Sequence, residues 1–193
     1  DAIRMFVITK LPWIRKQQEK FKNQPRQSER QYVSGESAYL WGRRYRLEVI
    51  HSNVCNDVQI KGDRILLQVR EASTTAQRAK VMKEWYRENI KKEIPPLLEK
   101  WEKIIGVTAL DWGIKDMKTR WGTCNVKAKR IWLNLQLAKK PPQCLEYVVV
   151  HELVHLLEKT HNKVFIAYMD KFLPDWRTTK EELNGLILDF IGE

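Results

Sequence analysis

His151, Glu152 and His155 stand in the pattern HExxH, and three of the four histidines in the chain fall between residues 151 and 161. On a helix, side chains four positions apart share a face, so the imidazoles of His151 and His155 can reach one ion with Glu152 beside its open position. Zinc suits such a set. Neutral imidazole is a preferred ligand, and three protein ligands leave a fourth position for water. The metal lowers the pKa of that water to roughly 7, and a nearby carboxylate can take its proton and pass it to a leaving group. The pattern predicts a hydrolase with one zinc ion and Glu152 as catalytic base.

His161 is favoured as the third ligand and Glu158 is its competitor. Glu158 follows His155 on the same helical face and would complete a site without any break in the helix. On an uninterrupted helix His161 would rise about 9 Å beyond His155 and point away from it. The helix must therefore break, and Lys159-Thr160-His161-Asn162 offers the place, because Thr and Asn favour caps over helix interiors. The concentration of scarce histidine, and the preference of zinc for imidazole, put His161 ahead. Tyr147, Val148, Val150, Leu153, Leu156 and Leu157 read as the apolar residues that bury this helix rather than as pocket.

The elements that position this stretch follow from periodicity. Ala2–Lys10 and Trp13–Asn23 read as two helical pieces packed together around Pro12, and Asn23–Gly35 as a loop. Tyr39–Ile50 alternates as one strand, and Val58–Ile60 with Ile65–Val69 form a hairpin across Lys61-Gly62-Asp63. Ser73-Thr74-Thr75 supply the cap of a helix Ala76–Ile94 that ends near Pro95-Pro96, with a second helix to Ile104. Val107–Trp112, Lys118–Cys124 and Arg130–Leu135 make a small sheet. Pro141-Pro142 opens a long helix through Leu157, followed by helices Asn162–Phe172 and Thr178–Phe190 around Pro174. The expectation is an α+β fold of small antiparallel or mixed sheets packed with the HExxH helix. Residues 1–75 form an N-terminal helical and β-hairpin region and 76–193 the catalytic region, packed as one compact domain.

Composition narrows the setting. The chain has 193 residues, 43% of them hydrophobic, which suffices for one sizeable core. Three cysteines without a CxxC pair argue against a disulfide framework and a cysteine zinc ribbon. With no apolar run long enough to span a bilayer and no secretory pattern at the start, a cytoplasmic protein without a membrane partner is expected. The first residue is Asp1, so residues upstream of it are expected in the natural protein. The net charge of +11 is uneven: Lys115–Lys140 holds eight Lys or Arg against Asp116, a block of +7. Such a block attracts phosphate-bearing or acidic partners, or serves only as solvated surface.

The chain resembles the YgjP-like family of metal-dependent hydrolases, zincin-fold relatives of the SprT and WLM proteases. The resemblance rests on Ser34-Gly35-Glu36-Ser37, Leu40–Tyr45, Trp85-Tyr86, Trp112-Gly113, Lys118–Cys124, Trp132-Leu133-Asn134, and HExxH with His161-Asn162. It implies a zincin-like metallopeptidase domain with His151, His155 and His161 as metal ligands and Glu152 as the catalytic residue. Thr123 and Ile166 depart from residues common in the family, without touching the ligands. Metzincins share the histidine spacing but have Gly where Glu158 stands, so the chain is not assigned to them.

The resemblance also implies that Lys118–Cys124 lines the substrate cleft. Arg120, with Trp121 beside it, would then face substrate and a developing anion, or Arg120 would serve a surface ion pair. Asn134 would contact substrate or orient a ligand histidine from behind, or merely end a strand. Hydrolysis of a peptide or protein is the favoured reaction. The alternative is a nucleoside triphosphate pyrophosphatase whose phosphates meet the basic block, and the second alternative is a SprT-like protease recruited to nucleic acid by that surface.

Overall fold

The computed structural model describes residues 2–22, 30–53 and 55–185. Helix α1 (Ala2–Lys22) runs through Pro12 as one helix, not as two packed pieces. Proline removes one helical hydrogen bond, and the described side chains of α1 are almost all exposed, so water can satisfy the carbonyl left over. The chain divides into one unit of Asp1–Arg30 with Ile187–Glu193 and another of Gln31–Leu186. All further elements belong to the second unit. Its β-strands and helices share one core, so no structural boundary falls at residue 75.

The expected strand Tyr39–Ile50 is instead a hairpin, β1 (Ser37–Leu40) and β2 (Arg43–His51), turning at Trp41-Gly42. Gly42 has φ of 78°, and a Cβ there would lie 2.9 Å from the Pro141 ring, so only glycine fits. The turn is tied down where Trp41 N–H and Gly42 N–H donate to the carbonyls of Ala138 and Lys139. The second hairpin, β3 (Asp57–Lys61) and β4 (Arg64–Val69), forms as its alternation predicts. The sheet order is β1-β2-β4-β3, with β2 and β4 parallel.

Helix α2 (Thr75–Ile105) begins at a capping box between Thr74 and Gln77 and passes straight through Pro95 and Pro96. Its buried stripe, Met82, Tyr86, Ile90, Ile94, Leu98, Trp101 and Ile105, continues past the prolines. A proline in a helix costs about 3 kcal/mol. Leu98, Trp101 and Ile105, buried beyond the two prolines, each return about 1.5–3 kcal/mol, a sum comparable with the cost of the pair.

A second sheet has the order β5-β7-β6, from β5 (Asp111–Lys115), β6 (Gly122–Asn125) and β7 (Arg130–Asn134). The first two strands are shorter and shifted from the expected Val107–Trp112 and Lys118–Cys124, because 116–121 is a loop fastened by side chains. Asn134 Nδ2 donates to the carbonyls of Met117 and Arg120, and Asp116 pairs with Lys83 and accepts from Gln136. A 3-10 helix (Leu135–Lys139) leads to α3 (Pro142–Val154), α4 (Lys163–Phe172) and α5 (Trp176–Gly185). Residues 186–190 of the expected last helix lie outside the described residues. Helix α3 is held to α2 where Glu146 accepts from Lys100 Nζ and Trp101 Nε1, at 2.7 and 2.9 Å. The result is an α+β fold of two small mixed sheets packed with the HExxH helix.

Candidate metal centre

Helix α3 carries His151 and Glu152 and stops at Val154, with His155 as its cap and His155 N–H still donating to the His151 carbonyl. The break comes earlier than the expected Lys159–Asn162. From Leu156 to Glu158 the backbone N–H groups fold back onto the carbonyls of Leu153 and Val154. The Glu158 carboxylate then accepts from Thr160 N–H and Thr160 Oγ1, at 3.1 and 3.0 Å. Asn162 caps α4 by accepting from the N–H groups of Val164 and Phe165, at 2.9 and 3.0 Å. These local bonds turn the chain so that His161, just before the cap, returns over the α3 face.

The three imidazoles converge. One nitrogen from each of His151, His155 and His161 lies within 4.8 Å of the other two, and the Nε2 atoms of His151 and His161 are 3.0 Å apart. Ligand atoms at 2.0–2.1 Å from a tetrahedral zinc would stand about 3.3 Å apart, close to the His151–His161 separation. His155 Nδ1 is 3.1 Å from the Glu158 carbonyl oxygen, which can only accept. Nδ1 therefore carries the proton and Nε2 is free to ligate. The Phe165 ring underlies all three, with centroids 5.0, 4.7 and 4.7 Å from those of His151, His155 and His161.

The electrostatics suit a cation. Burial, helped by the neighbouring His155 and His161, holds the His151 imidazole down to about 3, and burial also depresses His155 and His161. All three rings are thus neutral at physiological pH, the form a metal requires. Glu152, 4% exposed, is pushed up to about 8 by burial, with Arg120 opposing the shift. A dication at the histidines would draw it back to the carboxylate. Glu158 turns its carboxylate to Thr160 and contributes only its carbonyl, and it is not in the converging set.

The centre opens into a cleft of about 970 Å³ lined by residues 120–127, by Tyr147, Val148, His151, Glu152, His155 and Lys159, and by His161, Lys180, Leu183 and Asn184. A profile of the YgjP-like family, described as a metallopeptidase domain, matches residues 1–186. The chain belongs to the YgjP-like family. The family implies a catalytic metal, and the donor set at His151, His155 and His161 fits one. The crystal structure of the metallopeptidase zymogen of Pyrococcus abyssi abylysin is similar over 46% of this chain and 89% of that one, at 22% identity and a TM-score of 0.42. Among curated proteins none matches the chain.

Of the other residues expected at the site, Arg120 and Trp121 line the cleft of this YgjP-like chain and Asn134 does not. Asn134 is 3% exposed, and its side chain bonds Met117, Arg120 and Gln136, not a histidine. Its effect on the cleft passes through the 117–121 loop. Tyr147 and Val148, read from sequence as core alone, are buried and also line the cleft. Two further residues are visible only in the fold. Phe165 floors the histidines, and Gly122 lets β6 approach Glu152 so closely that a Cβ there would lie 2.6 Å from Oε1. Glycine is the signal of such an approach, though sequence cannot name the partner.

Proposed function

We propose that this chain is a zinc-dependent metallopeptidase that holds one zinc ion through His151, His155 and His161 and uses Glu152 as general base. The observation that carries the reading is the convergence of three neutral imidazoles beside a buried carboxylate, next to a strand that is outermost in its sheet among the described residues. When bound, zinc supplies Lewis acidity that activates water near neutral pH and polarises a carbonyl. Glu152 accepts the proton of the attacking water at a carboxylate oxygen and delivers it to the departing amide nitrogen. The absence of a side chain at Gly122 leaves the room that this carboxylate occupies against β6. The hydrogen bond from His155 Nδ1 to Glu158 fixes the ring that presents Nε2.

Strand β6 is the outer strand of its sheet and lines the cleft along its whole length. An extended peptide can pair with such an edge, which orients its carbonyl before reaction. The basic block favours peptide over nucleoside triphosphate, because its eight cations disperse. Arg130 pairs with Asp111, Lys115 caps the Trp132 ring, Lys139 lies over Tyr86, and only Arg120 and Lys127 reach the cleft. No helix among the described residues is long and apolar enough to cross a membrane. The free thiols of Cys55, Cys124 and Cys144 support a reducing, cytoplasmic setting. The test is incubation of zinc-loaded protein with an unfolded protein and, separately, with nucleoside triphosphates. Chelator-sensitive peptide release is expected, and release of pyrophosphate alone would overturn the reading.

A further inference from the structure

Four cations line the cleft, Arg120, Lys127, Lys159 and Lys180, and Glu152 is the sole acid among the described lining residues. All four are exposed. Elsewhere on the surface the cations Lys83, Lys100, Arg130 and Arg177 each form a close ion pair with a carboxylate, and among the described residues these four form no such pair. Arg120 and Lys127 stand just before and just after β6, at the two ends of the open strand edge. Lys159 lies in the loop between α3 and α4, and Lys180 on α5, where its ammonium is 5.4 Å from the centre of the Trp176 ring.

Arg120, just before β6, and Lys180, on α5, come from different elements and line the same cleft as Glu152, His151 and His161. A cation beside a dication site weakens metal binding by repulsion, and an anion lodged between them offsets that loss. Side chains on one face of a strand-bound peptide recur about every 7 Å, so a peptide laid along β6 passes successive side chains between Arg120 and Lys127 at the two ends of that strand.

We propose that the cleft selects peptides carrying carboxylate side chains near the scissile bond, with Arg120 and Lys180 as residues that read them. This rests on the metallopeptidase reading for the reaction, but not for the binding. The contacts are exposed, so each contributes modestly and together they give a preference of about tenfold at low ionic strength.

The experiment compares one peptide with Asp and Glu flanking its central bond against the same peptide with Asn and Gln. Cleavage by the zinc-loaded chain gives kcat/KM, and fluorescence anisotropy with the metal-free chain gives Kd. The acidic peptide is expected to be cleaved and bound about tenfold better at low ionic strength, with the preference shrinking as salt rises. In the double variant Arg120→Gln, Lys180→Gln the ratio should fall toward one, whereas Lys92→Gln on the exposed side of α2 should leave it as it is. Equal Kd values for the two peptides, or a preference that survives the double variant, would overturn the proposal. Tighter competition by a single-stranded oligonucleotide of equal charge would replace it with a nucleic-acid reading. If neither peptide is cleaved, the metallopeptidase reading fails, and the Kd ratio still decides this one.

Discussion

Replacing Gly122 by alanine adds one methyl group at the point where β6 comes against the carboxylate of Glu152, the proposed general base. The new Cβ would lie 2.6 Å from Glu152 Oε1, 2.9 Å from Glu152 Cγ and 2.8 Å from Val148 Cγ1, whereas ordinary contacts begin near 3.4 Å. Glu152 or the strand must give way by the difference, 3.4 − 2.6 = 0.8 Å. Val148 and Glu152 are both buried, at 2% and 4% exposed, and the longer Glu152 side chain has more rotatable bonds through which to yield, so most of that movement falls on it. A misplacement of ~1 Å in a catalytic group lowers turnover by about 10²-fold, or ~2.7 kcal/mol in the barrier. Overpacking also destabilises the fold by about 1–3 kcal/mol. The assay measures kcat on a peptide substrate together with bound zinc per chain. Gly122→Ala is expected to keep its zinc, because the three histidines do not touch residue 122, and to lose about two orders of magnitude in kcat. Unchanged kcat would refute the tight approach. Loss of zinc in parallel with activity would show that residue 122 supports the metal centre rather than Glu152.

Other perturbations separate the remaining parts of the site. Burial raises Glu152 in the metal-free protein from 4.5 to about 8, so its contribution to stability is fully present below 4.5 and lost as pH rises through 8. Glu152→Gln should therefore become more stable than the parent across that window, by at most ~5 kcal/mol, in urea unfolding of the metal-free proteins. A stability difference that does not grow with pH would contradict this. His151 acts in the opposite sense, its contribution being present above 6.5 and lost as pH falls toward 3, so metal-free protein should weaken on acidification. Phe165→Ala should cost about 3–5 kcal/mol in thermal or denaturant unfolding and weaken zinc binding in a competition titration, since the floor beneath the three imidazoles is removed. Asn134→Ala should destabilise by about 2–4 kcal/mol through the stranded backbone groups of the 117–121 loop, yet leave zinc stoichiometry unchanged.

Local spacing made the three converging histidines legible. HExxH fixes two imidazoles on one helical face whatever the tertiary structure, and Thr160 and Asn162 signal a cap that brings His161 round. The point of the break was less legible, because Leu156 and Leu157 read as helix interior while the chain had already folded back after His155. The helices were underestimated at Pro12 and at Pro95-Pro96, where a local penalty is overridden or tolerated in the fold. The hairpin of β3 and β4 follows from alternation and a glycine turn, but the parallel pairings of β2 with β4 and β5 with β7 join distant segments and leave no local mark. Asn134 looked like a polar group aimed at the site because it ends a strand near it. Its amide is used up by the carbonyls and N–H groups of a loop that cannot pair in a sheet.

The most direct test of the account is the metal itself. Protein purified without chelator is expected to hold one zinc per chain, with an X-ray absorption edge fitted by three imidazole nitrogens and one oxygen. Substituting His161 by alanine should reduce the nitrogen count and release the ion at far lower chelator concentration. A chain that binds no divalent metal, or one whose metal affinity is indifferent to residue 161, would contradict the three-histidine centre.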